Sequence, residues 1–114
     1  MDRPTAHLGI YDTLADWEVG YLLVELRTGR FTGKSWDVVT VAESTEPVTT
    51  MGGVRILPDM LLDHLDPASS NLLILPGADI WDAGGGHAYA KAAARFLDAG
   101  VPVAGHQHEL SRPR

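Results

Sequence analysis

The chain has 114 residues, enough for one domain at most. Its apolar fraction of 45% and charged fraction of 21% are ordinary for a globular protein, and a net charge of −6 without any basic run argues against nucleic acid as a partner. It has no cysteine, which excludes a disulfide scaffold, thiolate metal sites and a cysteine nucleophile, and no apolar run reaches the ~18 residues of a membrane span.

The opening "MDRPTAHLGIYD" enters a strand pattern at once, unlike a signal peptide, so a cytoplasmic location without membrane association is expected. His7 to Tyr11 reads as the first strand. "ADWEVGYLLVELRTG" reads as a helix, with Asp16 as N-cap and Val19, Leu22, Leu23 and Leu26 on one face, and Gly29 ends it. "SWDVVTVAE" is a strand rich in β-branched residues. "EPVTTMGGVRILPD" reads as two short strands about the Gly52-Gly53 turn, expected to pack at a sheet edge. "PDMLLDHLD" reads as a short helix capped by Asp59. "NLLILPGAD" is a fully apolar strand of the kind buried on both faces. "GGGHAYAKAAARFLDAG" is a helix packing through Tyr89, Ala93, Phe96 and Leu97 and ending at Gly100. A last strand spans Val101 to Ala104, followed by the polar "GHQHELSRPR".

Strand–helix alternation at this spacing predicts an α/β fold: a doubly wound, flavodoxin-like or Rossmann-like parallel sheet with helices on both faces. The functional loops of such a sheet lie beyond the carboxyl ends of its strands. Here they read "DTLADWE", "PGADIWDAGGG" and "GHQHEL". In the first, Glu18 sits in the opening turn of a helix, where a carboxylate either complements the helix dipole or reaches into the site. In the second, Pro76-Gly77 lets the backbone turn sharply and offers amide N–H groups that can hold an oxyanion, while Gly84, Gly85 and Gly86 precede a helix N-terminus.

Other motifs fail on particular residues. "GRFTGKS" has three residues between its glycines where a phosphate-binding loop needs four, and a helix precedes it. His106, His108 and Glu109 would need further metal ligands from afar and read as an exposed tail. A phospho-acceptor domain would want an acidic pair after the first strand, where only Asp12 stands. A flavodoxin would want a Ser/Thr/Gly phosphate loop, and "TLADWE" has no glycine.

Together, "IYDTLADWE", "NLLILPGAD" and "AGVPVAG" resemble the DJ-1/PfpI family of the class I glutamine amidotransferase-like superfamily. Its members open with a hydrophobic strand and D-G-F-x-D-W-E, continue with D-x-L-I-L-P-G-G, and reach a strand of the form P-V-A-A-I-C-G. The resemblance implies that Glu18 matches the acidic residue partnering a reactive cysteine. It also implies that Gly77 matches a glycine of the oxyanion pocket, with Ala78 in place of the second glycine. The cysteine's own position falls on Gln107. The likeness ends after Gly105, so residues 1–105 are expected to form a partial family domain and 106–114 an unrelated polar tail, as a truncated or frameshifted reading frame would give. The family's nucleophile elbow and histidine segment have no counterpart.

The resemblance therefore implies a relative of cysteine-dependent hydrolases, amidases and glyoxal-handling proteins that is inactive without its thiolate. It implies no cofactor and no metal. The alternative is a small binding module presenting the residual pocket to a small-molecule ligand at the strand ends, or an exposed sheet edge to a partner. The last strand is expected to lie at such an edge and to favour self-association.

Overall fold

The computed structural model describes residues 3–78 and 86–105. Among the described residues, seven strands and two helices follow one another: β1 (Thr5–Gly9), α1 (Asp16–Thr28), β2 (Asp37–Ala42), β3 (Val48–Thr49), β4 (Arg55–Ile56), β5 (Met60–Leu61), β6 (Leu72–Leu75), α2 (His87–Asp98) and β7 (Val103–Gly105). Two 3₁₀ turns, Leu62–His64 and Pro67–Ser69, separate β5 from β6.

Five strands form one sheet in the order β5-β2-β1-β6-β7, with every pairing parallel. The central strand β1 pairs Ala6 with Val38 on one side and Leu72 on the other. From β1 the chain steps through α1 to β2, and from β6 it steps the opposite way through α2 to β7. Right-handed crossovers then put the two helices on opposite faces. The core gathers where both layers meet the central strands: Leu8, Ile10, Val41, Leu73, Leu75, Tyr89 and Phe96 are almost wholly buried.

The expected parallel α/β sheet is present, with local differences. β1 lies two residues earlier than expected, and β7 begins at Val103 because Pro102 has no amide to donate; its carbonyl accepts from Leu73 N. "MLLDH" is a two-residue strand and a 3₁₀ turn rather than a helix. Asp59 does not cap a helix: its carboxylate accepts from Thr40 N (3.0 Å) and its own amide donates to Thr40 Oγ1 (2.9 Å), which lays β5 beside β2. On α2 the inward face is Tyr89, Ala92, Ala93 and Phe96, and Leu97 is exposed. Gly100 ends that helix as expected: at φ 81° its N–H donates to Leu97 O while Val101 N reaches Phe96 O, the paired bonds of a glycine C-terminal stop. Gly29, at φ 64°, ends α1 with a single bond from its N–H to Glu25 O, and a side chain there would strike the Lys34 backbone at 2.7 Å.

Two close contacts define the core's tolerance. A Cβ added at Gly9 would lie 2.7 Å from Leu75 Cδ2 and 3.3 Å from the Tyr89 ring. Gly9→Ala is therefore expected to lower unfolding free energy by about 1–3 kcal/mol, read by urea denaturation.

His7 and Ser70 form the second contact, both buried, with Nδ1 and Oγ 2.8 Å apart. The Ser70 hydroxyl also lies 3.1 Å from Leu72 O and accepts from Leu72 N, which ties the pair to the start of β6. Burial holds the His7 pKa below its ordinary value of 6.5. The unfolded chain thus binds a proton more readily than the folded one, and stability falls as pH drops below 6.5 toward the depressed folded value. Melting temperature should decline across that interval in wild type, and the decline should flatten in His7→Gln.

Candidate functional site

The site grows from the loop between β1 and α1. After Tyr11 the chain turns through Thr13, whose φ of 67° makes it the only non-glycine residue with left-handed backbone among the described residues. The twist aims Leu14 into the core and sends the following residues past the end of β6. There Ala15 N donates to Gly77 O (2.8 Å), and Leu14 bridges Ala78 in antiparallel fashion. Ala15 is the helix N-cap. Asp16, expected in that role, is the first helical residue.

The Asp16 carboxylate instead holds the β3–β4 hairpin. Oδ2 accepts from the Thr50 hydroxyl (2.5 Å) and Oδ1 from Gly52 N (2.7 Å). A Cβ on Gly52 would stand 3.1 Å from both carboxylate oxygens, so glycine is what lets the turn come this close. The Thr50 hydroxyl first, and the Gly52 amide with it, hold the Asp16 carboxyl below the usual range. Thr13 N donates to Thr49 O, Met51 N to Leu14 O, and Thr49 N to Asp12 Oδ1. The hairpin therefore docks on the loop at the strand ends and not on a sheet edge as expected.

Within the first turn of α1, Glu18 Oε1 accepts from Gly77 N at 2.8 Å. This bond closes the loop after β6 onto the start of α1. It also occupies the amide that the family resemblance assigns to an oxyanion pocket: a substrate oxygen would have to displace the carboxylate to use it. Glu18, Val19, Leu22, Ile74, Pro76, Ala104 and Gly105 line a mainly apolar cavity of about 240 Å³. Glu18, the Pro76-Gly77 turn and the end of β7 thus meet at the carboxyl ends of the strands. Ala78 sits beside them through its bridge to Leu14. Gln107, Gly84, Gly85, His106, His108 and Glu109 lie outside the described residues. Among the described residues, no group of three His, Asp or Glu is placed to hold a metal ion, and no helix is long and apolar enough to cross a membrane.

Two tyrosines brace this geometry; the sequence marked Tyr89 only as a packing residue and Tyr11 only as the end of a strand. Tyr11 donates its hydroxyl to Pro76 O (2.5 Å) and Tyr89 donates to Ile10 O (3.1 Å). Their rings meet edge to face, with centroids 4.8 Å apart. Burial first, then the nearby Glu43 charge, push the Tyr89 phenol up, so it stays a donor at any working pH.

The model of the DJ-1/PfpI family matches residues 5–105. The chain belongs to the DJ-1/PfpI family. It is 42% identical over 84 residues to the "Uncharacterized protease YoaZ" of Bacillus subtilis (strain 168), an alignment covering 71% of this chain and 40% of that protein. The crystal structure of a thiJ/pfpI family protein from Bacillus anthracis superposes with a TM-score of 0.79 at 37% identity, over 92% of this chain and 52% of that one. The DJ-1 superfamily protein Atu0886 from Agrobacterium tumefaciens gives 0.78 at 29% identity, over 90% and 52%. The chain thus spans about half the length of these solved relatives, and less of the curated one.

Thr13 stands where the family motif D-G-F-x-D-W-E has its glycine. A left-handed residue with a Cβ costs about 1–2 kcal/mol. Thr13→Gly is expected to be more stable than Thr13→Ala by on the order of 1 kcal/mol. Both variants lose the same hydroxyl and methyl, so the comparison, by chemical denaturation, isolates the backbone.

Proposed function

We propose that this chain is a catalytically silent form of a DJ-1/PfpI cysteine hydrolase or amidase site, keeping the acidic residue and the pocket without the thiolate. The observation that carries the reading is the Glu18–Gly77 bond at the mouth of the cavity that Gly105 also lines. In this reading Glu18 is the acidic partner of the family nucleophile, Gly77 and Ala78 form the wall of the substrate pocket, and Gln107 occupies the nucleophile's position. The likeness to a relative named as a protease supports the hydrolase class. The domain boundary belongs to the same proposal: residues 1–105 make the family-like unit, which the family match through 105 supports, and 106–114 form a separate tail.

Covalent catalysis needs a group that can be deprotonated and attack. The glutamine carboxamide does neither, and the 114 residues contain no thiol to take its place. What is left is recognition. The cavity's apolar walls and single carboxylate favour a second reading, a small-molecule binding pocket for a compact ligand with one polar end.

The purified chain is expected to show no amide or peptide hydrolysis and no labelling by iodoacetamide. Gln107→Cys should become labelled yet stay without turnover, because Glu18, the acidic residue of the pocket, is already bonded to Gly77 N and not free to activate a thiol. Hydrolysis above background in either protein, lost in Glu18→Gln, would overturn the reading.

A further inference from the structure

Strand β7 is an edge of the sheet, and its bonding register defines what that edge offers. Leu73 N donates to Pro102 O, and Leu73, Ile74 and Leu75 stand opposite Val103, Ala104 and Gly105. Along a strand, successive residues turn their N–H and C=O to alternate sides. Pro102 and Ala104 therefore bond toward β6, and Val103 and Gly105 turn two donors and two acceptors outward. Proline on an edge usually blunts it. Here the missing N–H of Pro102 is on the β6 side, and the outer side stays whole. Among the described residues no strand pairs with that side. Ala104 and Gly105 are exposed and are the two smallest residue types, so a neighbouring backbone meets no steric block. The cavity at the strand ends adjoins this edge. Ile74 and Ala104, opposite each other in register, both line it with Val19 and Leu22 of α1. A residue paired opposite Ala104 from outside puts its side chain on that same face of the sheet, beside the cavity.

We propose that the outer edge of β7 takes an extended peptide as a sixth strand, with an aliphatic side chain in the cavity and a basic one beside Glu18. The inference rests on the recognition reading of that cavity and gives its ligand a class. Main-chain bonds to an open edge supply affinity, and pockets for alternate side chains supply specificity. A cavity of ~150 Å³ already accepts a benzene ring, so about 240 Å³ admits a leucine side chain. The charge follows from Glu18. Gly77 N occupies one of its oxygens. The only ion pair among the described residues is Arg3–Asp37, so no cation there is paired with the Glu18 carboxylate. Side chains two apart along a strand share a face, which puts the Lys or Arg two residues from the aliphatic one. A second copy of this chain fits the edge less well. Its β7 brings Ala104 and Gly105, too small to fill the cavity, and each copy carries a net charge of −6.

Fluorescence polarisation tests it, with the peptide Lys-Val-Leu-Val-Lys carrying fluorescein at one end and an amide at the other. Its sequence reads alike in both directions, so either strand polarity is served. The peptide should bind. With its three central amides N-methylated it should bind at least about tenfold weaker, because main-chain donors are gone. Replacing both lysines by glutamate should weaken binding at least about tenfold, and Glu18→Gln should narrow that gap. Gly105→Pro removes only an outward N–H. Its melting temperature should hold while binding is lost. Ala104→Pro removes an inward N–H, and its melting temperature should fall. No saturable binding up to about 1 mM, or binding that survives both N-methylation and Gly105→Pro, overturns the proposal. Binding of isopentylamine without binding of the peptide overturns it too, and leaves the cavity a small-molecule pocket. A dimer that Gly105→Pro dissociates, in a chain that does not bind the peptide, assigns the edge to a second copy and likewise overturns it. Cleavage of the bound peptide would instead strike the silent-site reading and support this one.

Discussion

Everything at the strand ends depends on how one short stretch of backbone, residues 12 to 18, is bonded on two sides at once. On one side it meets the hairpin, through Thr13 N to Thr49 O, Met51 N to Leu14 O and the two bonds of the Asp16 carboxylate. On the other it meets the loop after β6, through Ala15 N to Gly77 O and Gly77 N to Glu18. Buried backbone groups need partners. A loop pinned between two others supplies them without a ladder and in doing so fixes where α1 begins. The left-handed Thr13 is the strain that this arrangement carries, and strain of that kind persists only where surrounding bonds over-determine the backbone.

The same stretch shows why acidic residues close in sequence serve different ends. Asp12 and Asp16 have their oxygens on the hairpin, while Glu18 is bonded to the loop after β6. The spacing does this: along a helix, two residues subtend about 200°, so Asp16 and Glu18 leave α1 in nearly opposite directions. Each carboxylate accepts a backbone N–H from a segment outside the five-stranded sheet. Asp16, whose carboxyl the Thr50 hydroxyl and the Gly52 amide hold below the usual range, loses its hold on the hairpin when acid protonates it.

The parallel sheet was legible because its strands are apolar runs punctuated by glycine and proline, and periodicity carries that information locally. Glu18 and Gly77 were legible through the order of motifs around them. What could not be read were features fixed by contacts across the chain. "MLLDH" has helical composition, yet Thr40, nineteen residues earlier, draws Asp59 into strand pairing. Leu97 looks like a core residue by type, but the rotation of α2 is set by Tyr89 and Phe96, and it falls on the wet side. Asp16 resembles a helix cap because capping is local, whereas its true partner is a glycine turn 36 residues away. Hairpin docking on a loop leaves no periodic trace at all.

The position of β1 has a consequence for how the chain acquires its fold. This strand is at the centre of the sheet and close to the amino end of the chain, while its neighbour β6 follows about 66 residues later, the separation of the Thr5–Asn71 bond. At a synthesis rate of ~5–20 residues per second, the central strand waits roughly 3–13 s for its second partner to be made. During that wait it can pair only with β2, its other edge bare and its apolar faces without α2. Parallel pairing of distant segments is slow even in the finished chain, because loop closure precedes any gain from contact. The nascent protein thus passes through a stage in which its most buried strand is its most exposed, and there a holding chaperone would find its binding segment.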